Sequence, residues 1–509
     1  MGRKNKVIIV GAGIGGLATA VELAARGVEV EVVERATTPG GKMREVAIGD
    51  ARIDAGPTVF TMRWVFDELF GNAGTSLDAE LVLKQADLIA RHAWNDHDRL
   101  DLFADIQQSA DAVARFSGAD EGKRFLSFCT DARKIYQTLK GPFIGSSRTN
   151  PLGLTGRIGR AGLSGMLHVK PYSTLWHALS GHFRDARLRQ LYGRYATYAG
   201  SSPFLAPATL MLIAHVEQEG VWLIEGGMHQ LAVAMARLAE RNGATIRYGA
   251  DVAEVLTRNG RACGIRLAGH ENQRIQADAV VLNTDVSALG AGLLGAAVAL
   301  AAPPTLPKHR SLSAITWNLV AKTSGFPLTR HSVFFSSDYP AEFDDIFKRG
   351  RTPLEPTVYV CAQDRGASLS DLGPRPENSA AGERLLLLIN APANGDTQRA
   401  DAARIEHWRV RTFSVLERCG LRIEHRPDAT QATTPTGFEK LFPATGGALY
   451  GRASHGWQAS FARPGARTKV PMLYLAGGST HPGAGVPMAA LSGRQAATSV
   501  LADLARNAR

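Results

Sequence analysis

Gly11, Gly13 and Gly16 have the spacing GxGxxG, and Glu34 stands 18 residues beyond the last of them. Together these residues suit a dinucleotide. The first glycine permits a tight turn, the second lets a pyrophosphate approach the backbone, and the third lets helix and strand pack closely. A helix starting at this loop aims free N–H groups and a partial positive charge at the phosphates. The Glu34 carboxylate can bond ribose hydroxyls, and its charge argues against a 2′-phosphate and hence against NADP. FAD and NAD remain.

The flanking elements supply what this chemistry needs. Val7-Ile8-Ile9-Val10 is a wholly apolar, β-branched run that suits a strand buried on both faces. Leu17 to Arg26 reads as a helix that Gly27 stops, and Val28 to Val33 as a second strand closing at Glu34. The competing reading is an ordinary glycine-rich turn, which would not need both strands and the acid. Pro39-Gly40-Gly41-Lys42-Met43-Arg44 and Asp54-Ala55-Gly56-Pro57-Thr58 follow soon after. Two glycine turns there fit a chain doubling back beneath a long cofactor, which favours FAD. Lys42 and Arg44 lie where a phosphate or ribityl chain would run.

The far end of the chain repeats the device. Met472 to Ala476 reads as a buried strand and Ala489 to Ala505 as a helix, joined by Gly477-Gly478-Ser479-Thr480-His481-Pro482-Gly483-Ala484-Gly485-Val486-Pro487-Met488. Pro487 suits a helix start. A helix N-terminus favours negative charge, which a reduced flavin carries around its pyrimidine ring. Between the two ends, Asp251 to Leu256 and Ala279 to Asn283 read as strands bracketing a small β excursion through Cys263 to Gln276. Gly226-Gly227-Met228 opens a helix running to about Arg241. The expected fold is therefore α/β. A Rossmann-like FAD-binding domain is assembled from the discontinuous segments 1–95, 226–300 and 431–509, and an α+β substrate domain from the insertions 96–225 and 301–430.

Composition narrows the field. The chain has 509 residues, 45% of them hydrophobic and 21% charged, which fits neither a disordered nor a polytopic membrane protein. Fifty-eight Lys+Arg against 47 Asp+Glu give a net charge of +11, a sign that favours an anionic partner. Cys129, Cys263, Cys361 and Cys419 are far apart, so neither a metal site nor a disulfide framework is expected. The N-terminus runs straight into the first strand pattern, so no signal peptide is expected. The uncharged stretch from Val286 to Pro307 is rich in Ala and Gly and reads as a small-residue helix or loop rather than a bilayer span.

The set GxGxxG with Glu34, Gly-Gly-Lys, Asp-Ala-Gly-Pro-Thr, Gly-Gly-Met and Thr480-His-Pro-Gly-Ala-Gly-Val-Pro-Met488 resembles the bacterial phytoene-desaturase-type carotenoid desaturases, over essentially the whole chain. Within them, Gly56 to Phe70 is most like the 1-hydroxycarotenoid 3,4-desaturases, also called methoxyneurosporene dehydrogenases. Phytoene desaturases usually carry a Pro near the start of the helix after Gly-Pro-Thr, where this chain has Met62-Arg63-Trp64. They also tend to have one just before Gly226, where it has Leu223-Ile224-Glu225. The resemblance implies a flavin amine oxidase-like architecture and FAD held by Gly11, Ala12, Gly13, Gly15, Gly16, Glu34, Lys42, Arg44, Thr58, Val252, Gly478, Pro482, Gly483, Gly485, Val486, Pro487 and Met488. Val252 would meet the adenine through its backbone. The substrate implied is a C40 carotenoid.

Residues 132–184 contain no Asp or Glu, yet hold eight Lys/Arg interleaved with Leu, Met, Tyr and Trp. That pattern suits an anionic membrane surface, and no nucleic-acid-binding signature accompanies it. A carotenoid does not cross water freely. The expected setting is thus a cytoplasmic enzyme resting on the inner or an intracytoplasmic membrane. Desaturation removes one hydrogen as hydride to the flavin and the next as a proton to a base or water. The protein's part is to hold the bond, exclude water and steady transient charge. No acid–base motif is visible. His215, on an expected helix, is a candidate proton acceptor, and His481, beside the second glycine loop, is a candidate contact to flavin or substrate or a cap of that loop. The alternatives are a phytoene or neurosporene desaturase, a carotene isomerase, an amine oxidase and a non-enzymatic prenyl-lipid carrier. No Cys follows Cys419 to anchor a covalent flavin of the amine oxidase kind, and a carrier would not need the second glycine loop.

Overall fold

The strand Lys6–Val10 is the middle strand of a five-stranded parallel sheet, with Ala279–Leu282 and Leu473–Leu475 on one side and Glu29–Val33 and Thr245–Arg247 on the other. The computed structural model describes residues 5–148, 150–158, 172–269, 273–368 and 382–507. Being central and covered on both faces, the first strand is apolar from Val7 to Val10. Its side chains alternate between two cores. Val7 and Ile9 join Val30 and Val32 beneath the helices Ile14–Ala24, His229–Arg241 and Val486–Asn507. Ile8 and Val10 pack with Val255 and Ile265 of a three-stranded antiparallel sheet. That sheet, Val252–Arg258, Arg261–Leu267 and Arg274–Gln276, is the small β excursion.

A second sheet has seven strands in the order Thr430–Thr433, Ser313–Ala321, Glu383–Ala391, Val358–Ala362, His331–Phe334, Leu88–Ala93 and Arg99–Phe103. Leu88–Ala93, from within the segment 1–95, pairs parallel with His331–Phe334. The other pairings in this sheet are antiparallel. Helices between residues 106 and 219, including Ala119–Leu139, Ala186–Gly193 and Leu212–Glu219, pack on it through Phe128, Tyr192, Phe335 and Leu386. The stretch from Val286 begins with one short helix, Val286–Gly290. Among the described residues no helix is long and apolar enough to cross a membrane. Of the basic segment 132–184, Arg160, Leu163, Met166, Leu167, Val169 and Lys170 lie outside the described residues.

Asp54 ties the two sheets together. Its carboxylate accepts from the N–H groups of Met228 and His229, at 2.7 and 3.1 Å, at the start of the helix His229–Arg241. Its carbonyl accepts from Asn318 Nδ2 of the seven-stranded sheet and from Gln363 Nε2, just past the strand Val358–Ala362. Burial raises the carboxyl pKa, against the hydrogen bonds from Met228 and His229. Glu225, just before this helix, is exposed and donates its backbone N–H to Val82.

Candidate active site

The first strand leaves the sheet at Gly11, whose φ of +100° an L side chain rarely adopts. The next N–H, of Ala12, is turned to Glu34 Oε2 at 2.6 Å, and Glu34 Oε1 accepts from Ala36 at 2.7 Å. The acid thus fixes the corner between the first two strands while its side chain borders a cavity of about 1190 Å³. That corner lies at the carboxyl ends of parallel strands, where such sheets bind ligands.

Gly40-Gly41 folds back onto the first loop, bridging Gly13 through Gly40. The second glycine loop reaches the same place from the other end of the chain. A Cβ on Gly15 would stand 2.7 Å from the Gly477 nitrogen, and a Cβ on Gly13 would stand 2.6 Å from Asn283 Oδ1. Ser492 of the closing helix holds the second loop by accepting from Gly477 N–H at 3.2 Å.

Of the residues expected to hold a cofactor, Gly11, Gly13, Gly15, Glu34, Lys42, Thr58 and Val252 line the cavity, as do Gly478, Pro482, Gly483, Gly485, Val486, Pro487 and Met488. Ala12, Gly16 and Arg44 are not among the lining residues. Ala12 contributes the backbone contact to Glu34. Gly16 backs onto Gly11, where a Cβ would stand 2.1 Å from the carbonyl oxygen, which is close helix–strand packing. Arg44 is drawn away, donating to Thr433 Oγ1 at 3.1 Å and lying over the Phe438 ring.

Lys42 donates to the Leu449 carbonyl at 2.7 Å and stands 3.7 Å from Asp285. Burial lowers its pKa and Asp285 opposes the shift. Arg463, buried across from it, donates to the carbonyls of Gly478 and Arg452, and burial lowers its pKa to about 10. Asn283 Oδ1 and Asp285 Oδ2 are buried without a hydrogen-bond partner. Sequence reasoning missed Asn283, Asp285 and Arg463. The first two directly follow a buried parallel strand, a position that could have flagged them.

Neither candidate histidine lines the cavity. His215 stands edge-on to Tyr136, its Nε2 3.5 Å from Glu219, and burial lowers its pKa against Glu219. His481 Nε2 faces the carbonyls of Phe143 and Ser146, each at 3.0 Å, so it holds the loop after Ala119–Leu139 against the second glycine loop. Burial lowers its pKa as well.

Beyond Thr58 the cavity becomes largely apolar, with Leu139, Phe143, Leu210, Ile213, Leu386 and Phe461 in its wall. Thr58 Oγ1 and Tyr359 OH are 2.6 Å apart, and Tyr359 OH is 2.7 Å from His331 Nδ1. Arg194, Tyr198 and Glu217 complete a polar patch in this wall. Among the described residues no group of three His, Cys, Asp or Glu could hold a metal ion.

A family model described as flavin containing amine oxidoreductase matches residues 14–324 and 376–501. The chain belongs to that family. It is 52% identical over 508 residues to a hydroxyneurosporene desaturase of Rubrivivax gelatinosus, covering 100% of this chain and 95% of that one. It is 45% identical to a protein so described in Cereibacter sphaeroides, covering 99% of each chain. It is 30% identical, again over 99% of each, to a 1-hydroxycarotenoid 3,4-desaturase of a Flavobacterium strain. Among solved structures it is similar to an oxidoreductase from Methanosarcina mazei, with a TM-score of 0.59 at 16% identity over 98% of this chain and 100% of that one. A putrescine oxidase variant gives 0.58 at 14% over 99% of each. These neighbours share the fold: a flavin amine oxidase architecture, mixed α/β with several sheets. Within the family the chain groups with the carotenoid desaturases, and it is a flavin-dependent oxidoreductase.

Proposed function

We propose that this chain binds FAD and desaturates an acyclic carotenoid at the C3–C4 bond of a 1-hydroxy or 1-methoxy end group. The observation that carries the reading is the meeting of Gly13 and Gly15 with Asn283 and Gly477 at one end of a cavity whose other end is apolar. The residues present fit the cofactor. A Cβ at Gly13, Gly15 or Gly477 would collide with its neighbours, Glu34 offers acceptors for ribose hydroxyls, and Asn283 Oδ1 presents a buried acceptor without a hydrogen-bond partner, near Asp285 and its ion pair with Lys42. Lys42, Gly56 to Thr58 and Gly483 to Met488 would hold the flavin ring, with Val252 on the adenine side. The segments 1–95, 226–300 and 431–509 would frame this end, and the insertions 96–225 and 301–430 the substrate end.

When bound, the flavin supplies the hydride acceptor. The chain's own residues do the rest. The apolar wall excludes water and fixes the polyene so that one bond faces the ring. No histidine of the described residues lines this wall, and the polar patch around Glu217 is the acceptor that the wall itself offers the proton.

The chain would rest on an anionic membrane. Tyr172, 80% exposed, lines the cavity and packs edge-on to the partly exposed Trp457, which lines it too. Leu205 is exposed and its carbonyl accepts from Gly456, beside Trp457. Exposed Arg148 donates to the carbonyl of Phe461 in the cavity wall. An aromatic rim with cations beside it suits the headgroup boundary.

Product analysis after co-expression with pathways making phytoene, neurosporene or 1-hydroxylated carotenes tests the proposal. The expected result is a longer chromophore only in the hydroxylated background. Desaturation of phytoene instead would overturn the substrate assignment.

A further inference from the structure

Burying a guanidinium and a carboxylate in a hydrocarbon-binding wall is costly unless their hydrogen bonds are met. Arg194 and Glu217 are placed this way. Arg194 follows the helix Ala186–Gly193, and its guanidinium lies over the rings of Tyr198 and Tyr359, 5.4 Å from each centroid. Its Nη1 donates to Tyr198 OH at 3.3 Å. Glu217 attracts it electrostatically, and among the described residues its Nε and Nη2 donate no hydrogen bond. Glu217, on the helix Leu212–Glu219, accepts from Tyr195 OH at 2.5 Å and from Tyr198. Arg194, Tyr198 and Glu217 therefore form a polar chain whose donors are only partly used, and all three line the cavity.

The position of this chain decides its use. Tyr359 lies between it and Thr58, touching Thr58 through its hydroxyl and Arg194 through its ring face. Thr58 ends the loop that would border the flavin ring. A group bound by Arg194 therefore sits one tyrosine away from the reacting bond, while the rest of a long ligand runs on past Leu210 and Ile213.

We propose that Arg194, with Glu217 behind Tyr198, is the subsite for the oxygen on C1 of the carotenoid. The inference rests on the substrate reading above and deepens it. That oxygen is three bonds from C3, so its partner must lie near the flavin rather than at the far end of the cavity. The open guanidinium donors serve a hydroxyl or a methoxy oxygen alike, because both accept. Glu217 can take the hydroxyl proton in a hydrogen bond, which a methoxy group does not offer. The subsite so sets the register of the chain, placing C3–C4 against the ring.

The test uses purified flavin-loaded enzyme and two substrates in the same detergent, 1-hydroxyneurosporene and neurosporene. The readout is the ratio of their kcat/KM values in the wild type, Arg194→Met, Arg194→Lys and Glu217→Gln, with flavin occupancy measured in parallel. The expected result is a wild-type preference for the hydroxylated substrate that falls at least about tenfold in Arg194→Met, the scale of one hydrogen bond to a charged group. Arg194→Lys should regain part of it. Equal losses on both substrates, or an unchanged ratio, would assign the cluster a structural role and overturn the subsite. If Arg194→Met fails to retain flavin, Glu217→Gln and Arg194→Lys decide by the same ratio. A wild type that does not distinguish the two substrates overturns the substrate reading itself, a separate failure from a wild type that does and variants that keep its preference.

Discussion

Gly15, in the first helix, and Gly493, in the last, cross so closely that a Cβ on Gly493 would stand 2.1 Å from the Gly15 carbonyl oxygen. Thr19 Oγ1 donates to the Gly493 carbonyl at 3.0 Å beside this crossing. The two helices whose N-termini face the cavity are thereby locked to each other, and the head and tail of the chain are held as one platform.

Gly493→Val should wedge these helices apart. Backbone is the obstacle, so relief is costly, and a loss of about 3 kcal/mol is expected. Thermal unfolding of the purified protein checks it, and flavin occupancy should fall with the melting temperature. A variant as stable as the wild type would contradict the close crossing.

Glu34→Gln removes the charge of the corner and replaces one of its two backbone N–H acceptors with a donor. FAD should bind about tenfold more weakly, the scale of a charged hydrogen bond. Titration of the apoprotein with FAD, followed by flavin fluorescence, gives the dissociation constant. An unchanged value would place the ribose elsewhere.

These two sites differ in how they could be read from the sequence. The glycine loops were legible because a tight turn or a close backbone approach admits almost no other residue, and both loops are local. The five-stranded sheet was legible for a similar reason, since Val7 to Val10 is buried on both faces and its composition shows it. The direction of Arg44 was not. Its neighbour Lys42 enters the cavity, while Arg44 is captured by Thr433 and Phe438, hundreds of residues away. The seven-stranded sheet depends on pairings as distant as Val333 with His92, which local patterning does not specify. His215 and His481 drew attention as residue types, but their neighbours Tyr136 and Phe143 set where they point. Arg194 and Glu217 passed unremarked because only the folded wall shows them lining a cavity for an apolar chain.

Acid should destabilise the fold through buried histidines. Burial lowers the pKa of His92 and of His331 to about 3, with neighbouring arginines adding to the shift, and that of His455 to about 4. Each folded value lies below the ordinary 6.5, so the unfolded chain takes up the proton first. Stability is full above pH 6.5 and falls as pH drops toward 4, by up to about 1.4 kcal/mol per pH unit per histidine. Melting temperatures between pH 7 and 5 check the sign. His331→Phe should flatten the slope. A wild type more stable at pH 5 than at pH 7 would contradict it.

Replacing both Tyr172 and Trp457 with Ser should weaken binding to vesicles containing anionic lipid while leaving flavin bound. Reversing charge at Arg148 should do the same, and more strongly at low salt, where screening is weak. Vesicle co-sedimentation measures both. Unchanged partitioning would remove this rim as the membrane face.

The central claim is that one cavity brings a flavin dinucleotide and an oxygenated polyene face to face. Anaerobic mixing of the oxidised enzyme with 1-hydroxyneurosporene tests it most directly, with the flavin and polyene absorption bands followed together. The account predicts that the flavin band bleaches in step with a polyene shift to longer wavelength, giving a product lighter by two hydrogens. Conversion of the carotenoid while the flavin stays oxidised would contradict it.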